Sequence, residues 1–179
     1  MSKSQPATTK QIHRVVIEAP IEKVWDTLTK TDAVLPFFFC SVMKTTKLAV
    51  GAPVRMRSPN DRTTGVAGEI IEFDPPRCFA HTFKFTNYDD PICIVRYELK
   101  SIEGGTEFTL TSENVPVGTK TEKQMGSGGK MIVDGLKVYV ETGRPALIAR
   151  VIGLVNALSG PFTPKRCLSS NWPMDKKVL

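Results

Sequence analysis

The chain has 179 residues, with 24 Lys and Arg against 18 Asp and Glu, a net charge of +6 with both histidines neutral. This length gives room for one domain and barely for two small ones. With 41% hydrophobic and 23% charged residues, wholesale disorder is excluded, and scattered Lys and Arg without a block of like charges exclude a nucleic-acid-binding patch.

Residues 1–10 (MSKSQPATTK) are polar, lack periodicity and are expected to form a flexible tail. From Ile12 to Ala19 the alternation predicts a strand with His13, Val15, Ile17 and Ala19 on one face, and Val16 on the other predicts partial cover on both sides. Pro20 suits a first helical position. Ile21, Val24, Trp25 and Leu28 then follow the spacing of an amphipathic helix that ends near Thr29–Thr31. A second short helix is expected from about Asp32 into Phe37-Phe38-Phe39.

Six further strands are predicted over Cys40–Lys47, Pro53–Ser58, Gly65–Phe73, Arg77–Thr86, Ile92–Ser101 and Thr106–Glu113. Turn signals such as Asp74-Pro75-Pro76 and Glu103-Gly104-Gly105 separate them. Phe79, His81, Phe83 and Phe85 share one face, as do Phe108 and Leu110, so the sheet has a single buried face that something apolar must cover. The expected cover is a helix from about Lys120 to Glu141, with Ile132, Val133, Leu136, Tyr139 and Val140 on one stripe. The stop is Gly143-Arg144-Pro145. This order describes an α+β domain, an antiparallel sheet of six to seven strands around a C-terminal helix.

Four cysteines, at 40, 78, 93 and 167, form no CxxC pair, and with only two histidines the chain offers no tetrahedral zinc site. No metal and no cofactor are expected, and the cysteines read as small buried hydrophobes. The polar N-terminus leads to the expectation of no signal peptide, and no run reaches the roughly 18–20 apolar residues that span a bilayer. A cytoplasmic protein is expected.

The ordered motifs extend the reading. They are Val15-x-Ile17-x-Ala19-Pro20-x-Glu22-x-Val24-Trp25 with Leu28-Thr29, then Gly68-Glu69-Ile70-x-Glu72-x-Asp74-Pro75-Pro76, and the alternating Phe79, His81 and Phe83. Gly104-Gly105-Thr106-x-Phe108-Thr109-Leu110-Thr111 and Gly135-Leu136-Lys137-x-Tyr139-x-Glu141-Thr142-Gly143 complete the set. Over about residues 12–143 the chain resembles the SRPBCC (START-like, helix-grip) superfamily, in its branch related to the C-terminal domain of the activator of the heat-shock ATPase. The resemblance implies a curved sheet gripping the long helix over residues 11–143, with 144–179 as an extension. The chain departs from the family where Gly129-Lys130 replaces a frequent Gly-Trp, removing an aromatic from the cavity mouth and placing the charge of Lys130 there. Phe37-Phe38-Phe39 replaces a frequent Trp.

The same resemblance implies an elongated cavity between sheet and helix, walled here by Phe38, Val54, Met56, Phe83, Tyr97, Phe108, Leu110, Ile132, Val133 and Leu136. Its expected occupant is a small hydrophobic or amphipathic ligand such as a lipid. The plainer alternative is that these side chains fill the space themselves. His81, on the same face, is a weak candidate for a general base or a structural histidine. Tyr97 and Ser112 are candidates to orient a polar headgroup. Glu69 and Glu72, three apart on a strand, are expected on opposite faces, with Glu69 solvated and Glu72 structural.

Gln124-Met125-Gly126-Ser127-Gly128-Gly129-Lys130-Met131 fails the phosphate-loop pattern. Its glycines are expected to let the helix start late or bend. Arg55 and Arg57 are expected to be solvated. In Pro145–Leu158 the apolar residues cover more than one stripe, so this segment must bury itself in its own domain, a second copy of the chain or a membrane surface. Few basic residues flank it, which disfavours the membrane. Trp172-Pro173 reads as an extended strap pinned by one aromatic. Ligand binding is thus the first expectation. A co-chaperone stimulating a heat-shock ATPase in the stress response and a cyclase or dehydratase using His81 are the alternatives.

Overall fold

The computed structural model of the chain describes residues 7–149, 151 and 163–178. In chain order the elements are β1 (Thr8–Ile17), α1 (Ile21–Leu28), β2 (Val34–Leu35), β3 (Ser41–Lys44), β4 (Pro53–Arg57), β5 (Thr64–Asp74), β6 (Cys78–Phe85), β7 (Cys93–Ile102), β8 (Gly105–Pro116) and α2 (Lys120–Thr142). The strands form one antiparallel sheet in the order β1-β8-β7-β6-β5-β4-β3-β2, and α2 packs across its concave face against β1 and β8. The α+β grip of sheet on helix is as expected, with eight strands in place of six to seven.

The extra strand lies where a second helix was expected. Leu35 precedes Pro36 and is held extended, with φ −103° and ψ 100°, because a following proline ring clashes with a helical residue before it. Val34 and Leu35 therefore pair with Val42 and Ser41, and only a 3₁₀ turn, Pro36–Phe38, remains. Thr8 and Thr9 pair with Pro116 and Val115, so strand structure reaches into the expected tail.

Helix α1 begins at Ile21, with Pro20 at the cap and not at the expected first helical position, while α2 is capped at its start and ends at the expected glycine. Thr119 caps α2 by accepting from the Glu122 amide, and Glu122 reaches back to the Gly118 amide at 2.7 Å, a close variant of the capping box. Gly143 ends the helix at φ +68°, a left-handed conformation open to glycine. The glycines at 126, 128 and 129 neither delay nor interrupt α2.

Two local expectations are overturned. A bulge in β5 pairs Ile70 with His81 and Glu72 with Ala80, leaving Ile71 unpaired and rephasing the strand. Ile70 and Phe73 both point inward, and Glu69 and Glu72 share the outer face. Arg55 also lies on the outer face, between the inward Val54 and Met56, yet it is completely buried and not solvated, because residues 163–178 cross over it.

Candidate functional site

On the concave face, the alternation of β6, β7 and β8 points large rings toward α2. Phe38 meets Tyr97 edge-on at 5.8 Å, Phe79 stacks on Tyr97 at 5.6 Å, and Tyr97 stacks on Phe108 at 6.3 Å. Val54, Leu110, Val133 and Leu136 are buried in the same cluster, with Phe83 and Ile132 packed partly buried against it. The structure thus brings the expected cavity walls together as neighbours in one packed core. Met56 alone among them also borders one of the two cavities described below.

One cavity, of about 490 Å³, is a dish on the outside between the β1–α1 corner and the β7–β8 turn, walled by Glu18, Pro20, Glu22 and Gly104. The second, of about 420 Å³, sits at the rim where the sheet opens beside α2. Its walls are Phe39 and Ser41, Met56 of β4, Val66 of β5, Phe85 of β6, and Thr163, Pro164 and Cys167 of the C-terminal stretch. Phe39 and Cys40 are consecutive left-handed residues, with φ 55° and 58°, a conformation that costs of order 1 kcal/mol per non-glycine residue. This turn throws the Phe39 ring against α2, where a Cβ on Gly128 would lie 3.5 Å away. Sequence reading missed this wall. Phe37-Phe38-Phe39 was visible as an aromatic run, but neither the left-handed turn nor the return of a segment over 100 residues later carries a local signal.

The polar groups of the rim cavity divide into two kinds. Thr86 Oγ1 donates to the Thr64 carbonyl at 2.5 Å, and the Thr64 and Ser169 hydroxyls share a hydrogen bond of 3.0 Å. Ser41 and Asn87 border the same space, and their side chains have no hydrogen-bond partner among the described residues.

His81 lies in the aromatic core, in ring contact with Phe79, Phe83 and Tyr97. Its Nδ1 is 2.8 Å from the Thr82 carbonyl; a carbonyl only accepts, so Nδ1 carries the proton of the neutral ring. Burial pushes its pKa down to about 4, against a smaller opposing effect of that hydrogen bond. Such a group is a poor base at neutral pH, and among the described residues no carboxylate orients it. Burial likewise pushes the Tyr97 phenol up.

Ser112 lies two residues beyond Leu110, the cross-strand partner of Tyr97. Its hydroxyl is fully buried without a hydrogen-bond partner among the described residues. Gln11 pairs with Ser112 across β1 and β8, and Gln11 Oε1 and His13 Nε2 on the same face also lack partners among the described residues. This polar patch faces the glycine-rich half of α2, away from the rim cavity.

Glu72 binds Arg96, which also reaches Glu113 at 3.5 Å. Hydrogen bonding from Arg96, then Cys78, holds Glu72 below the usual carboxylate range. Its partners are thus structural and on the outer face. Lys130 is exposed and paired with Asp134 at 2.7 Å, and it borders neither cavity. Among the described residues no cluster of His, Cys, Asp or Glu could hold a metal, and the four cysteines are free thiols.

At the start of the 145–158 segment, Leu147, Ile148 and Val151 are 77%, 57% and 60% exposed, and the Ala149 carbonyl accepts from Cys40 Sγ at 3.3 Å. Arg150 and residues 152–158 of this apolar segment lie outside the described residues. No described helix is long and apolar enough to cross a membrane.

The family model for Activator of Hsp90 ATPase homolog 1-like proteins matches residues 18–141. Among solved structures, the chain is similar to the Aha1 dimer from Colwellia psychrerythraea, at 18% identity and TM-score 0.62 over 76% of this chain and 98% of that one. CalU16 from Micromonospora echinospora follows at 19% identity and TM-score 0.58, over 86% and 96%. DynU16, from the dynemicin biosynthetic locus, matches at 23% identity and TM-score 0.61, over 76% of this chain and 48% of that one. These likenesses show the fold alone. No curated protein matches the chain by sequence.

Proposed function

Because the chain belongs to the family of Activator of Hsp90 ATPase homolog 1-like proteins, with their helix-grip fold, we propose that it binds a small apolar molecule bearing one polar group, at the rim of the grip. The observation that carries this reading is the rim cavity. Its volume of about 420 Å³ falls in the usual ligand range of roughly 300–1,000 Å³. Phe39, Met56, Val66 and Phe85 supply apolar walls, and the half-buried Ser41 and exposed Asn87, whose side chains are not bonded to other described residues, supply polar groups. The Tyr97 and Phe108 side of the grip is filled with side chains, so the ligand seats at the rim and borrows only Met56 from the expected walls. Four free thiols suit a reducing compartment, the cytoplasm.

The test is native mass spectrometry of the purified protein together with thermal shift against medium-chain alcohols and hydroxylated aromatics. A ligand at a hundred times its Kd stabilises by about 2.7 kcal/mol, and Ser41→Trp, which fills the cavity, removes that gain. No bound mass and no shift with any of these compounds would sink the reading.

Two further readings concern partners. Membership of a family named for activation of the Hsp90 ATPase supports a co-chaperone role toward a heat-shock ATPase, tested by co-purification with that ATPase and by its hydrolysis rate. The exposed Leu147, Ile148 and Val151, with a dimeric relative of the same fold, support self-association through the 145–158 segment.

A further inference from the structure

Residues 163–178 lie beyond the part of the chain that the family shares, which ends at residue 141. They cross the outer face of β4 and β5. Leu168 bridges to Thr63, the Ser169 amide donates to the Arg62 carbonyl at 2.9 Å, and Arg166 pairs with Asp89. The strap's apolar anchorage is partial: Cys167 is buried and Trp172 and Met174 are half-buried, but Leu168 is 40% exposed and Pro164 is open to solvent.

Arg55 supplies the main polar anchorage. Its guanidinium gives two hydrogen bonds to the sheet, at the Val54 and Gly68 carbonyls, both 2.9 Å. Three more go to the strap, at the carbonyls of Trp172 (3.3 Å), Pro173 (3.1 Å) and Lys176 (2.6 Å). No carboxylate neutralises it among the described residues. Arg57 adds a bond to the Trp172 carbonyl at 3.2 Å.

We propose that residues 163–178 are a gate on the rim cavity and that Arg55 is its latch, a statement that rests on the rim cavity being the ligand site. Thr163, Pro164 and Cys167 form one wall of that cavity, so lifting the strap removes a wall and admits the guest. The latch is reversible by its chemistry. When the strap lifts, the guanidinium keeps its sheet carbonyls and takes water in place of the other three, so opening is a local fluctuation that leaves the sheet intact. Closed, the same cation is what makes burial of the three strap carbonyls tolerable, because without a donor each would stand unsatisfied.

The test uses Cys167, a buried thiol carried by the strap itself, as the natural reporter and Cys93, buried in β7, as the internal control. In the full-length protein, alkylation of each thiol by N-ethylmaleimide is followed by peptide mass spectrometry. Arg55→Met is expected to speed labelling of Cys167 at least about tenfold and leave Cys93 unchanged, with Arg55→Lys between. Ser169→Pro loosens the strap from its own side, should Arg55→Met fold poorly. Leu168, at φ −59° and ψ 134°, already has the conformation that precedes proline. Unchanged Cys167 labelling in the variants that fold, or Cys93 accelerated by the same factor, overturns the latch. Stopped-flow binding of anilinonaphthalene sulfonate is expected to quicken in proportion to Cys167 labelling. A loosened strap with unaltered dye association overturns the gate. Dye bound by no variant overturns the ligand reading and the gate with it, while the thiol rates still decide the latch.

Discussion

Gly129 of α2 meets His13 of β1 so closely that a Cβ built on Gly129 would lie 2.4 Å from His13 Cδ2. The helix rides directly on the imidazole, and this approach, not a loop or a bend, is what a glycine at 129 serves. Gly126, three residues earlier, differs: its Cβ would lie 3.8 Å from Gln11, an ordinary contact.

The two glycines therefore respond oppositely to alanine. Gly129→Ala forces ring and helix apart and destabilises by about 1–3 kcal/mol, as overpacking does. Gly126→Ala gains up to about 1 kcal/mol from helix propensity and a less free unfolded chain. Urea midpoints of opposite sign relative to the parent check this, and a stabilising Gly129→Ala would contradict the close approach.

Phe108 is fully buried and stacked on Tyr97. In a filled grip, Phe108→Ala costs about 3–5 kcal/mol, the transfer loss plus a new cavity. Phe85, at the rim, already borders empty space, so Phe85→Ala costs less. Equilibrium unfolding of both compares the two sites directly, and equal losses would mean the ring stack borders open space too.

The strand order and long helix were legible because alternation, turn residues and the Gly143 stop are local signals. Packing was not. The same residues, Tyr97, Phe108 and Leu136 among them, describe a lined hollow or a solid core depending on how side-chain volumes meet across the sheet. Val34–Leu35 is too short to show a period. The β5 bulge, invisible in composition, moved Glu72 to the face of Glu69. The burial of Arg55 depends on Trp172, over a hundred positions away in the chain.

His81 makes stability depend on pH. Unfolded, it titrates near its ordinary 6.5, and folded at about 4, so between these values the unfolded chain binds the extra proton. Stability is complete above about 6.5 and falls as the pH drops toward 4, by at most roughly 3 kcal/mol at 1.36 kcal/mol per pKa unit. The lowered pKa of His13, from burial first and Lys130 second, acts in the same direction, and Glu72 adds its loss at more acid pH. His81→Gln removes most of the slope between the two pKa values. Imidazole resonances of His81 are expected to stay neutral at about pH 5.5, and a protonated ring there would contradict its burial.

Ile148→Asp tests the exposed segment. If Leu147, Ile148 and Val151 form a contact between copies, the parent runs as a dimer in light scattering and the variant as a monomer. A monomeric parent at high micromolar concentration would contradict self-association.

The central claim, a filled grip with its ligand at the rim, is tested most directly by methyl-labelled methionine NMR during titration with anilinonaphthalene sulfonate. Met56 borders the rim cavity, Met125 faces the sheet from α2, and Met43 is buried in β3. The account predicts that the Met56 methyl shifts and saturates with the dye while Met125 and Met43 hold their positions. A shift centred on Met125 with Met56 unmoved would place the guest deep between sheet and helix and contradict it.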